Sequence, residues 1–113
     1  MEGEENKESQ EYQSNGQGKQ TKQIRTLRII IKGKVQGVGF RFFLRQKALL
    51  LGINGYAMNK NDGSLEVIAQ SRDNNALKKF VLECKRGPML AVIEDVVVEE
   101  INETRGYEGF NIR

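Results

Sequence analysis

Hydrophobic periodicity switches repeatedly along this chain, and the order of the switches restricts the fold more than any other feature. Leu27, Ile29 and Ile31 alternate with Arg28, Ile30 and Lys32, a period of two that makes a strand. Phe40, Phe43, Leu44, Ala48 and Leu51 then recur at helical spacing, the buried stripe of a helix of about three turns. Lys47 interrupts that stripe, where its long stem can reach the edge of the buried surface. Gly52 supplies a left-handed cap. Gly55 to Asn59 forms a second strand, and Asn61-Asp62-Gly63 is a turn signal. Leu65, Val67 and Ala69 alternate again, giving a third strand antiparallel to the second. Ser71 or Asp73 can cap a second helix, with a buried stripe of Leu77, Phe80, Val81 and Cys84 and a stop at Gly87-Pro88. Val92 to Ile101 is rich in β-branched residues and reads as a fourth strand, and Gly109 to Arg113 as a short terminal one.

The resulting order is β-α-β-β-α-β followed by a short strand. The expected fold class is therefore α+β: a ferredoxin-like βαββαβ sandwich with a four-stranded antiparallel sheet, two helices on one face, and a short C-terminal strand. Periodicity begins at residue 26. Residues 1–25 are polar and low in complexity, with only Tyr12 and Ile24 offering apolar surface, and such a segment does not offset its ordering entropy. The expected division is a disordered N-terminal tail over 1–25 and one domain over 26–113. Glutamines at 10, 13, 17, 20 and 23 recur at helical spacing in the tail, which reads as compositional chance.

Charge and residue usage narrow the chemistry. Residues 1–25 carry four basic side chains against five glutamates, and residues 26–113 carry fourteen basic against ten acidic. The domain thus favours small anionic ligands mildly, without the dense basic stripe of a nucleic-acid binder. The chain has no histidine, so Ser-His-Asp and Cys-His catalysis and histidine metal sites are excluded. A single cysteine builds neither a thiolate metal site nor an intrachain disulfide. Glu2, Glu4 and Glu5 stand where a secretory signal would be basic, and no apolar run approaches membrane-spanning length. The expectation is a monomeric, cytoplasmic protein with no membrane or nucleic-acid partner, no cofactor and no metal.

The segment between the first strand and first helix, Gly33-Lys34-Val35-Gln36-Gly37-Val38-Gly39-Phe40-Arg41, is suited to an anion. Glycines there allow positive φ and close backbone approach, and the helix start adds unpaired N–H groups and positive dipole. The segment lacks the Gly-Lys-Ser/Thr closure of a Walker loop and the third glycine of a dinucleotide fingerprint. Val38 to Phe43 resembles an RNA-binding aromatic motif only in composition, since its aromatics fit the helix stripe. Arg41 is the sharper signal. An arginine in the first helical turn opposes the macrodipole, but beside a nest of amides its planar fork completes a phosphate site. Asn59 ends a strand before a turn, where asparagine commonly satisfies local backbone. Lys34 and the acidic run Glu94, Asp95, Glu99 and Glu100 read as solvated surface.

Two stretches together resemble a known family. Gly33 to Arg41 is similar to the first signature of acylphosphatases, and Gly55-Tyr56-Ala57-Met58-Asn59-Lys60-Asn61-Asp62-Gly63 to the second. The likeness extends through Leu51-Gly52-Ile53, Gly87-Pro88 and Gly109-Phe110, and so covers residues 26–113. It implies the same ferredoxin-like fold and hydrolysis of the carboxyl–phosphate bond of small acyl phosphates, by direct attack of water without metal or cofactor. By position, the resemblance makes Arg41 the phosphate-binding arginine and the amides of Gln36, Gly37, Val38, Gly39 and Phe40 its cradle. Asn59 becomes the residue that orients the water. Asn61, Ser71 and Met89 stand where the family often has proline, glycine and proline. The alternative reading is a non-catalytic phosphate-binding module of the same family, and a third is an interaction protein that uses its tail.

Overall fold

The computed structural model describes residues 20–113. A strand at Gln20–Lys34 (β1) leads to a helix at Phe40–Leu51 (α1), then strands at Asn54–Asn59 (β2) and Leu65–Asp73 (β3). A second helix at Asn74–Arg86 (α2), a strand at Val92–Ile101 (β4) and a short one at Phe110–Ile112 (β5) complete the order. All five strands form one sheet in the order β4-β1-β3-β2-β5. The pairs β1/β3, β1/β4 and β2/β3 are antiparallel, whereas β5 adds to β2 in parallel.

The expected element order and helix-on-sheet architecture are those observed. β1 starts earlier than the apolar alternation, because residues 20–25 continue its backbone pairing. Gln20 lies opposite Asp73 and Arg25 opposite Ser71, with an irregularity between them. No apolar period marks this extension. An ion pair does, between Arg25 and Glu100 at 2.8 Å. The boundary drawn at residue 25 therefore falls inside β1, and residues 1–19 of the expected tail lie outside the described residues.

Both helices cover one face. Leu27, Ile29 and Ile31 of β1, Ala57 of β2, and Leu65, Val67 and Ala69 of β3 share a buried cluster with Phe40, Leu44 and Ala48 of α1 and Ala76, Leu77, Phe80 and Cys84 of α2. Each large aliphatic or aromatic side chain so buried contributes about 1.5–3 kcal/mol. Phe43, Leu51 and Val81 pack at the rim of that cluster. Lys47 extends its ammonium over the Phe43 ring, 5.4 Å from the centroid. Burial pushes the Cys84 thiol far above its ordinary pKa, which suits a core filler and not a nucleophile. Of the two candidate caps for α2, Asp73 does the work: its carboxylate accepts from the N–H groups of Asn75 and Ala76 at 3.0 and 3.2 Å. Ser71 instead accepts from the Asp73 N–H at 2.9 Å.

The connection from β4 to β5 runs from one sheet edge to the other. Gln70, 3 % exposed, ties it down: its amide donates to Thr26 Oγ1 and to the Arg105 carbonyl, and its oxygen accepts from the Tyr107 N–H. Phe110 then enters the core against Phe80, with ring centroids 5.7 Å apart. Gly55 makes the β2–β3 approach possible. A Cβ there would lie 1.9 Å from the Ile68 carbonyl oxygen, at a φ of 143°.

Candidate active site

Ile31, Leu65 and Asn59 are aligned across β1, β3 and β2. Neighbouring strands lie about 4.8 Å apart, so Asn59 sits about 10 Å from Ile31, three residues before the end of β1. Side chains alternate along a strand, so Asn59 shares its face with Ala57, the face that α1 covers. The end of β2 and the start of α1 therefore meet at one end of the sheet. The Asn59 side chain is half-buried and takes part in no described hydrogen bond.

The glycine-rich segment leaves β1 at Lys34, and buried Val35 anchors it. Gly37 and Gly39 adopt φ of 72° and 79°, left-handed values that a side chain would resist. Gly39 is the N-cap of α1, with no side-chain cap, and the first turn carries no acidic residue. Its carbonyl accepts from the Phe43 N–H at 3.0 Å, so the helix begins there. Among the described hydrogen bonds, none uses the backbone N–H of residues 36–40. Orphan donors at an uncapped helix start require an acceptor from solvent or ligand. A phosphate oxygen suits them, and the helix dipole adds to the attraction.

Arg41 stands in the first turn of α1. Its Nη1 donates to the Arg113 backbone oxygen at 2.8 Å. Arg113 is itself fixed beside β2, because its N–H donates to the Ala57 carbonyl at 2.9 Å and its guanidinium covers the Tyr56 ring at 3.8 Å. The contact aims Arg41 toward the end of β2 and leaves its other N–H groups for an anion.

The turn after Asn59 is tightly bonded. Lys60 N–H donates to the Ser64 carbonyl at 2.9 Å, and Gly63 N–H to the Lys60 carbonyl at 3.1 Å. Asp62 accepts from the Ser64 hydroxyl and N–H at 2.6 and 3.0 Å, which holds its carboxyl below the usual range. The Gln36 amide nitrogen donates to the Lys60 and Ser64 carbonyls at 2.7 and 3.0 Å, joining the glycine-rich segment to this turn. Sequence reasoning singled out Gln36 for its backbone N–H alone, and it missed the Arg113 oxygen. Neither contact leaves a local pattern, since the partners are 24 and 72 residues apart. Glu94, Asp95, Glu99 and Glu100 lie exposed on β4. Phe42 is exposed on α1 while Phe40 is buried, so these aromatics form no stacking platform on a strand. Among the described residues, no three His, Cys, Asp or Glu side chains gather where they would hold a metal ion.

The family model described as Acylphosphatase matches residues 27–112. The chain belongs to the acylphosphatase family. It is 47 % identical over 90 residues to an acylphosphatase of Thermotoga maritima, covering 80 % of this chain and 98 % of that one. It is 38 % identical over 85 residues to an acylphosphatase of Bacillus subtilis, covering 75 % and 92 %. The crystal structure of acylphosphatase from Bacillus subtilis superposes with a TM-score of 0.75 at 36 % identity, over 79 % of this chain and 98 % of that one. The crystal structure of full-length HypF in a phosphate- and nucleotide-bound form gives a TM-score of 0.73 at 32 % identity, over 80 % of this chain but 12 % of that one. The family match thus takes in both helices, the strands from Leu27 onward, the glycine-rich segment, Arg41 and Asn59.

Proposed function

We infer that this protein hydrolyses the carboxyl–phosphate bond of small acyl phosphates, releasing a carboxylate and inorganic phosphate. The observation that carries the reading is one end of the sheet where a guanidinium meets amides and an asparagine that have no partner among the described residues. In this reading the amides of Gln36, Gly37, Val38, Gly39 and Phe40 hold the phosphate oxygens, and Arg41 clamps the same group through its fork. Asn59 receives a hydrogen bond from the attacking water through its carbonyl oxygen, and its amide donates to the phosphate.

The reaction asks little more of the protein. An acyl phosphate is a mixed anhydride whose leaving group is a carboxylate, a weak base of pKa about 4. Water oxygen bonds to phosphorus, the phosphorus–oxygen bond to the acyl group breaks, and its electron pair leaves on the carboxylate. The water proton passes to solvent or to phosphate. No strong general base is required, so catalysis rests on in-line positioning and on stabilising charge at the equatorial oxygens. No Lewis acid is needed when a cationic fork and fixed amide dipoles face those oxygens.

Residues 26–113 carry the catalysis, and residues 1–25 take no part in it. The protein acts as a cytoplasmic monomer without a nucleic-acid partner, with every residue of the site supplied by one chain. The test is hydrolysis of benzoyl phosphate in metal-free buffer by the parent protein and by Asn59→Ala. The expected result is turnover by the parent and a loss of about 10²–10³-fold in kcat for the variant, the size of effect from removing one positioned polar group. Phosphate binding by a parent that turns nothing over would select the non-catalytic module instead.

A further inference from the structure

The Gln36 side chain bridges the two halves of the site. Its amide nitrogen reaches two carbonyl oxygens, those of Lys60 and Ser64, at 2.7 and 3.0 Å. The orientation of the amide is forced, because an oxygen in that place would face two acceptors. The same residue carries the first N–H of the phosphate cradle. Lys60 directly follows Asn59 in the chain. One side chain therefore connects the group that holds the phosphate to the segment that carries the proposed water-orienting residue.

The turn does not depend on this bridge for its own bonding. The Lys60 carbonyl also accepts from Gly63 N–H, and the Ser64 carbonyl from Lys60 N–H. Each oxygen has two lone pairs, and Gln36 fills the second on both. Asp62 further fixes the turn from inside, through Ser64. Removing the Gln36 amide leaves no carbonyl without a partner. What is lost is the fixed spacing between cradle and turn. The sheet register sets that spacing only through β1, β3 and β2 in succession, whereas Gln36 sets it directly.

Resting on the site reading above, we propose that Gln36 is a positioning residue that holds Asn59 at the distance from the phosphate loop needed for in-line attack. Its amide touches neither water nor phosphate in this role. A shift of about 1 Å in a reacting group costs up to about 10²-fold in rate, so the expected phenotype is kinetic.

The experiment is a double-mutant cycle of the full chain on benzoyl phosphate, with inorganic phosphate as the competitive probe of the cradle. Gln36→Ala is expected to lower kcat by about tenfold or more, while the phosphate inhibition constant stays within about threefold of the parent. Gln36→Met, which keeps the stem and lacks the donors, should behave alike. The double variant Gln36→Ala/Asn59→Ala should be no slower than Asn59→Ala alone, because a positioning residue has nothing left to position. Multiplicative losses beside a normal drop for Asn59→Ala overturn this inference alone, as does a loss confined to phosphate affinity. A fully active Asn59→Ala overturns the site reading and this inference with it. Failure of both Gln36 variants to fold also overturns it, since the turn keeps its other bonds.

Discussion

Replacing Arg41 by alanine tests the phosphate clamp most directly. One N–H, on Nη1, is spent on the Arg113 backbone oxygen at 2.8 Å. A guanidinium has five N–H donors in a rigid plane, so a parallel pair remains for two phosphate oxygens. Each hydrogen bond to a charged group contributes about 1.5–3 kcal/mol, and losing two removes about 3–6 kcal/mol from the bound phosphoryl group. Arg41 is only half-buried in the unliganded protein, which favours the lower half of that range. At 1.36 kcal/mol per decade, kcat/KM on benzoyl phosphate should fall by about 10²–10³-fold for Arg41→Ala. Arg41→Lys keeps the charge but not the fork, so it should lose about one bond, or 10–10²-fold. Competitive inhibition by inorganic phosphate should weaken in the same order. The urea midpoint should barely move, because the side chain contributes one exposed contact to the fold. Arg41→Ala with kcat/KM within about threefold of the parent would refute the clamp.

Two further outcomes concern the frame that holds the site. Gly55→Ala should destabilise the protein by at least about 2 kcal/mol, because its methyl would meet backbone of the paired strand and positive φ adds strain. Urea denaturation measures this, and an unchanged midpoint contradicts the close β2–β3 approach. Acid should weaken the fold through Asp62 and Glu100. The Ser64 hydroxyl and N–H depress the Asp62 carboxyl, and a hydrogen bond from Arg25 depresses that of Glu100. A depressed folded pKa gives stability that is present above the unfolded value, about 4, and lost as pH falls through the folded value. Urea midpoints should be flat from about pH 7 to 5 and drop below about pH 4, with a smaller drop in Asp62→Asn. A midpoint that rises on acidification would contradict both assignments.

Much of this architecture is local in origin. Alternation at Leu27, Ile29 and Ile31 and at Leu65, Val67 and Ala69 dictates strands, because only period two puts those side chains on one face. Helical spacing at Phe40, Leu44 and Ala48, and at Leu77, Phe80 and Cys84, likewise dictates the covering helices. Residues 20–25 were not legible as strand, since their pairing uses backbone and an ion pair and has no apolar period. Asp73 could be separated from Ser71 as the cap only once the N–H groups that each one receives were known.

For the site, the sequence alone determined the parts: glycines able to take left-handed φ, a helix that starts without an acidic cap, an arginine in its first turn and an asparagine at a strand end. Tertiary structure decided that they lie at one end of the sheet. Antiparallel register across three strands carries Asn59 to the end of the sheet where the loop lies. A parallel fifth strand brings the Arg113 oxygen to Arg41, and the Gln36 amide joins loop to turn. Local sequence sets φ, ψ and which face is apolar. Contacts between residues 24 to 72 positions apart form only when the buried core fixes how the strands align.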